Sequence, residues 1–157
     1  MIYSPKSKPD GTIRDWLNYH AEKSPDRICY QFSDNSSDLT WSGLLKKVIS
    51  ISKFLIQLDI KKGESVAICM SNGSNALQIF YAIIYGGFRV TPLNLAAGPA
   101  ALGHAISHSK CNYILYDDEQ SEILSNALEE TNANPTTIKP IIKIIKTAGP
   151  SPFSKTI

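Results

Sequence analysis

His104 and His108 stand four residues apart, a spacing that sets two imidazoles on one side of a helix and can chelate a metal ion. The residues between them, Ala105-Ile106-Ser107, lack the glutamate of a zinc-protease motif. No nearby cysteine or carboxylate offers a third ligand, so a metal centre is not expected. Asp117-Asp118-Glu119 places carboxylates between a strand pattern and a helix pattern. Acidic residues there either face a ligand at the end of a parallel strand or compensate the positive end of a helix dipole, and the second reading is the commoner. Ser71-Asn72-Gly73-Ser74 also joins a strand to a helix, and its backbone amides can receive an anion, but no lysine accompanies them. Gly86-Gly87 follows a helix pattern and reads as a cap. Neither a phosphate-binding loop nor a dinucleotide fingerprint is present. Cys29, Cys69 and Cys111 form no CxxC pair and read as reduced, buried thiols. No set of nucleophile, base and orienting group emerges, so catalytic, cofactor-binding and metal-holding residues are all expected to be absent.

The elements that position these residues follow from hydrophobic periodicity. Thr12 and Asp15 have capping-box spacing ahead of an apolar face made by Ile13, Trp16, Leu17 and Ala21, and Ser24-Pro25-Asp26 stops that helix. Arg27–Ser33 alternates as a strand with Ile28, Tyr30 and Phe32 on one side. Asp34–Asp38 reads as a turn leading to a short antiparallel return at Leu39-Thr40. From Trp41 to Leu58, Leu44, Val48, Ile51 and Leu55 form a stripe that Leu45, Ile49 and Ile56 widen, as in a helix packed on a sheet. Beyond Gly63, strands and helices alternate. Strands are predicted at Ser65–Met70, Phe88–Leu93, Cys111–Tyr116 and Ile141–Ile145, and helices at Asn75–Tyr85, Pro99–Ser109 and Glu119–Thr131. Alternation of this kind implies an α/β fold: a mostly parallel sheet with flanking helices, plus a short antiparallel hairpin near the N-terminus.

At 157 residues, with 43% hydrophobic and 19% charged, the chain suits a single folded domain rather than a disordered segment. Sixteen basic residues against 14 acidic give a net charge of only +2, so no nucleic-acid partner is expected. The apolar windows Val66–Met70 and Ala76–Tyr85 fall far short of the roughly 20 residues of a membrane span, and the N-terminus has no signal-peptide core. A cytoplasmic location is expected. The expected layout is a flexible arm over residues 1–11, a domain over 12–146 and an unstructured tail over 147–157.

Two blocks are more specific than a generic α/β pattern. Leu39-Thr40-Trp41-Ser42-Gly43-Leu44 resembles the first core motif of the adenylate-forming (AMP-binding) superfamily, roughly Leu-Thr-Tyr-x-Glu-Leu. Ile84-Tyr85-Gly86-Gly87-Phe88-Arg89-Val90-Thr91-Pro92-Leu93-Asn94 resembles its second, roughly Leu-Lys-Ala-Gly-x-x-x-Val-Pro-Leu-Asn/Asp. Ile60–Ile68 resembles the element between them, and Gly98–Leu102 with Ile106–Ser109 the helix that follows. The order holds across about residues 12 to 118. Asn94, where amino-acid-activating relatives usually carry aspartate, tilts the likeness toward acyl- or aryl-CoA synthetases. Gly43, Tyr85-Gly86 and Asp59 depart from the pattern, where Glu, Lys-Ala and Gly are usual.

Full-length members of that family use ATP, Mg and CoA to adenylate a carboxylate and pass it to a thiol. The Thr/Ser/Gly-rich loop with its lysine, the adenine-binding segment, the ribose-holding aspartate and the C-terminal catalytic lysine have no counterpart in these residues. The resemblance therefore implies an N-terminal fragment of an acyl-CoA synthetase/ligase of the AMP-dependent type, inactive alone and needing no cofactor itself. It is read as a truncated product, a pseudogene remnant or a piece of a longer chain. The alternative is a non-catalytic interaction module, or one half of a split synthetase. Its partner would be the missing remainder, with self-association through exposed apolar surface as another expectation. An unrelated flavodoxin-like nucleotide binder is a third reading.

Overall fold

The computed structural model describes residues 11–32, 38–133 and 143–146. Helix α1 (Ile13–Lys23) starts at a complete capping box: the Thr12 hydroxyl accepts from Asp15 N–H, and the Asp15 carboxylate accepts from the Thr12 N–H at 2.7 Å. Those bonds hold the Asp15 carboxyl below its usual value, the Thr12 backbone donor contributing most. Strands β1 (Ile28–Tyr30) and β2 (Leu39–Thr40) pair antiparallel. The first strand is shorter than the alternation predicts, and Ile28 is 47% exposed. A two-residue partner strand pairs little backbone, and the core cluster beside it takes Cys29 and Tyr30 but not Ile28. Residues 34–37 of the turn predicted at Asp34–Asp38 lie outside the described residues, as do the tail and all of the N-terminal arm except Gly11.

Helix α2 (Trp41–Gln57) buries Leu44, Val48, Ile51 and Leu55 as the stripe predicts, but leaves Ile56 57% exposed. Its cap is half of a box: Thr40 Oγ1 accepts from Gly43 N–H at 3.1 Å, and Gly43 has no side chain to reciprocate. Leu58 is its C-cap, and Asp59 follows in the left-handed region at φ 64°. Strand β3 (Ser65–Cys69) is buried throughout. Helix α3 (Ser74–Gly86) begins one residue earlier than predicted. Its N-cap is Gly73, which makes no side-chain cap, although the serines and Asn72 around it are good capping residues. At its other end Gly87, left-handed at φ 85°, and Phe88 send their N–H groups back to Ile83 and Ile84 carbonyls in a Schellman-type close.

Strand β4 (Arg89–Pro92) follows, then a 3-10 turn at Leu95–Ala97 and helix α4 (Gly98–Ser109). Strand β5 (Tyr113–Tyr116), helix α5 (Ser121–Ala133) and strand β6 (Lys143–Lys146) complete the order among the described residues. The four strands β3 to β6 form one parallel sheet in the order β4-β3-β5-β6. Alternate residues of its central strands feed two cores. Val66, Ile68, Tyr113 and Leu115 pack with Leu17 of α1, the α2 stripe, and Ile79 and Ile83 of α3. Ala67, Cys69 and Ile114 pack with Leu102 and Ile106 of α4 and Leu124 and Ala127 of α5. The sheet is thus covered on both faces, α1–α3 on one and α4–α5 on the other. Among the described residues, no helix is long and apolar enough to cross a membrane.

Candidate functional site

In this strand order the connection through α3 leads from β3 to one neighbour, and the connection through α4 crosses to the other side. The direction of winding therefore reverses between β3 and β5, and a doubly wound sheet offers ligands a crevice at the C-terminal strand ends there. In this chain polar side chains fill that place. Gln120 donates to Ser71 Oγ at 2.9 Å, tying the loop after β5 to the loop after β3. The Asp117 carboxylate accepts from the backbone N–H groups of Ser71 and Gln120. Burial first, and the charge of Glu119 second, nevertheless push the Asp117 carboxyl above its ordinary value. Asp117 Oδ1 is buried with no hydrogen-bond partner, and so is Asn75 Oδ1 at the start of α3. Nearby burial, and the Asp117 charge after it, raise the Cys69 thiol to about 11, so it is an inert core thiol rather than a nucleophile.

Beside this network, toward β4, lies a cavity of about 610 Å³. Ile68 and Met70 of β3 and its exit, and Pro92 and Leu93 beyond β4, form its floor. Ala76, Leu77 and Phe80 of α3 form one wall, Gln31 and Phe32 beyond β1 the other, and Asn72 and Gly73 the rim. None of these side chains is titratable. A cavity of this size and polarity can hold the apolar part of a small molecule. Among the described residues that line it there is no nucleophile, no general base and no cation to meet a phosphate.

The residues singled out in the sequence are not gathered in one place. Ser71 and Asp117 meet at the winding reversal, but Ser74 accepts from Gln78 instead of capping its helix. Asn94 caps the 3-10 turn, its Oδ1 accepting from Ala96 N–H at 3.2 Å. His104 and His108 share the exposed side of α4, near the end that leads into β5, at the opposite edge of the sheet from Asp117. Among the described residues no three His, Cys, Asp or Glu side chains group as metal ligands. The cavity wall is what sequence reasoning missed. Its signal was α3 itself: a helix apolar on every side has more than one face to cover.

Three comparisons bear on this arrangement. The family model described as AMP-binding enzyme matches residues 17–155. The chain is 35% identical over 83 residues to the 2-succinylbenzoate–CoA ligase of Bacillus cytotoxicus, and 30% identical over 83 residues to that of Bacillus cereus strain AH820. Each match covers 53% of this chain and 17% of the relative. Among solved structures, a putative long-chain-fatty-acid CoA ligase from Rhodopseudomonas palustris superposes with a TM-score of 0.74 at 19% identity, covering 92% of this chain and 35% of that one. The O-succinylbenzoate coenzyme A synthetase of Bacillus subtilis, solved with AMP, superposes with a TM-score of 0.69 at 18% identity, covering 83% and 30%. These superpositions establish the shared fold, and the chain spans about a third of those structures. With the two core motifs lying on β2–α2 and on α3–β4, and the family model covering nearly the whole sequence, the chain belongs to the AMP-binding enzyme family.

Proposed function

We propose that this chain carries the N-terminal α/β layer of an enzyme that activates a carboxylic acid with ATP and transfers it to coenzyme A, and that these residues alone do not adenylate. The observation that carries the reading is the family match over residues 17–155. The relatives named as CoA ligases support this reaction class, and Asn94 after β4 supports the acyl- or aryl-CoA branch. ATP, Mg and CoA would be the reactants and metal of the whole enzyme. Adenylyl transfer needs cations and backbone donors fixed around the phosphates. The residues lining the cavity do not fit that need: among the described residues no lysine or arginine lines it, and the Asp117 carboxylate beside it is held by the backbone N–H groups of Ser71 and Gln120. On this reading the chain contributes scaffold, and its partner is the remainder of a synthetase.

The test is ATP–pyrophosphate exchange by the purified chain with a panel of aliphatic and aromatic carboxylic acids. No exchange above a no-protein control is expected with any of them. Exchange that depends on one acid and on the chain would overturn the proposal.

A further inference from the structure

His104 and His108 remain outside the proposed function, and the structure gives them a defined relation. Both side chains are exposed on the outer side of α4. Their ring centres lie 5.7 Å apart with the planes inclined by only 27°. Metal–nitrogen bonds of about 2.0–2.1 Å place two imidazole centres on one ion roughly 4.5–5.5 Å apart, close to the separation observed. The backbone between them is a continuous helix, so their attachment points are fixed before any ion arrives. Only the side-chain torsions remain to be ordered on binding. Position adds to this: His108 lies in the last turn, where the helix dipole is negative and favours a cation. The exposed Lys110 just beyond is the one nearby charge on this element that opposes it, and its ammonium rides on a long solvated stem.

We propose that His104 and His108 form a two-imidazole chelate for a borderline divalent transition ion of the Ni2+, Cu2+ or Zn2+ class. Imidazole suits these ions, whereas Mg2+ and Ca2+ prefer oxygen ligands. Water fills the remaining positions, so the ion exchanges readily and the site is distinct in kind from a closed structural centre. The other donors of the chain compete poorly. Cys69 and Cys111 are buried, Cys29 is half-buried and donates to the Leu39 carbonyl, and His20 is stacked on Trp41 at 4.5 Å.

The test is calorimetric titration of the untagged chain with NiCl2, which does not oxidise thiols, alongside thermal melts with and without Ni2+. Wild type, His104→Ala, His108→Ala and the control His20→Ala are compared. Both α4 substitutions sit on exposed helix positions and introduce a good helix former, so the variants should fold. One equivalent is expected to bind wild type and His20→Ala alike. Either α4 substitution should weaken binding by about tenfold or more, because the second ligand then no longer acts at high effective concentration. Ni2+ should raise the melting temperature of wild type and not of those two variants. Equal binding by wild type and His104→Ala or His108→Ala, or the lack of saturable one-to-one binding, overturns the proposal.

Discussion

Gly86 and Phe88 behave as a matched pair, and replacing Gly86 by alanine tests that directly. Gly86 is the last residue of α3, and a Cβ built there would fall against the edge of the Phe88 ring, 2.8 Å from Cδ2 and closer still to Cε2. Ordinary carbon–carbon contact is about 3.5–4.0 Å, so the ring would have to withdraw by roughly an ångström. It has little room to do so. Phe88 is 6% exposed within the core, and its N–H is fixed to the Ile83 carbonyl at 3.0 Å by the helix close. Overpacking of this kind costs about 1–3 kcal/mol, while Gly→Ala in a helix returns at most about 1 kcal/mol. Gly86→Ala should therefore lose about 1 kcal/mol net in urea denaturation followed by circular dichroism.

The cycle with Phe88→Ala sharpens the test. Phe88→Ala alone should cost about 3–5 kcal/mol through the cavity it leaves. With the ring gone, the methyl group added by Gly86→Ala has nothing to strike, and the same change should become neutral or stabilising by up to about 1 kcal/mol. A coupling of about 1–3 kcal/mol, with reversal of sign between the two backgrounds, is the expected signature. Additivity within about 0.5 kcal/mol, or a Gly86→Ala variant more stable than wild type, refutes the reasoning.

Ser52 donates to the Ala82 carbonyl at 2.6 Å inside the α2–α3 contact, so Ser52→Ala should lower urea stability by about 1 kcal/mol with an unchanged m-value. Asp59 holds φ 64° where glycine is usual in the family pattern; Asp59→Gly should relieve that conformation and raise stability by about 0.5–1 kcal/mol in the same assay, and a loss would show that its side-chain contacts outweigh it. The Asp117 carboxyl is raised from 3.8 by burial and then by Glu119, so its ionisation opposes folding. That cost is full above its folded-state pKa and fades as pH falls toward the unfolded value. Asp117→Asn should thus melt above wild type at pH 7, with the gap closing toward pH 4; a gap that widens on acidification contradicts the assignment.

Most of the architecture was legible because the signals were local. The Thr12–Asp15 box, the Leu44–Leu55 stripe and the wholly buried β3 are each written in one short window. Where expectation and structure part, a partner distant in sequence decides. Ile28 alternates as a core residue should, yet the hairpin offers it nothing to pack on. Ser74 has the chemistry of a cap, but Gln78 donates to its hydroxyl, and Gly73 starts α3 without a side-chain cap. Tyr30 and Tyr81 share a hydroxyl–hydroxyl hydrogen bond across 51 residues, which no window could show.

The candidate site was harder to see for a related reason. The cavity draws on Phe32, Met70, Phe80 and Leu93, residues ordinary in isolation that converge only because α3 leans over the exits of β3 and β4. By contrast Ser71 and Asp117, polar and at strand ends, were visible as candidates, and the fold joins them into a closed network rather than an open receptor. The apolar residues thus make the space and the polar ones fill the crevice, the reverse of what side-chain chemistry alone suggests. Two buried oxygens without donors, on Asn75 and Asp117, mark where that filling is incomplete. An unpaired buried acceptor costs about 1–3 kcal/mol, so a hydrogen-bond donor brought to this edge would be held by an interaction the layer already needs.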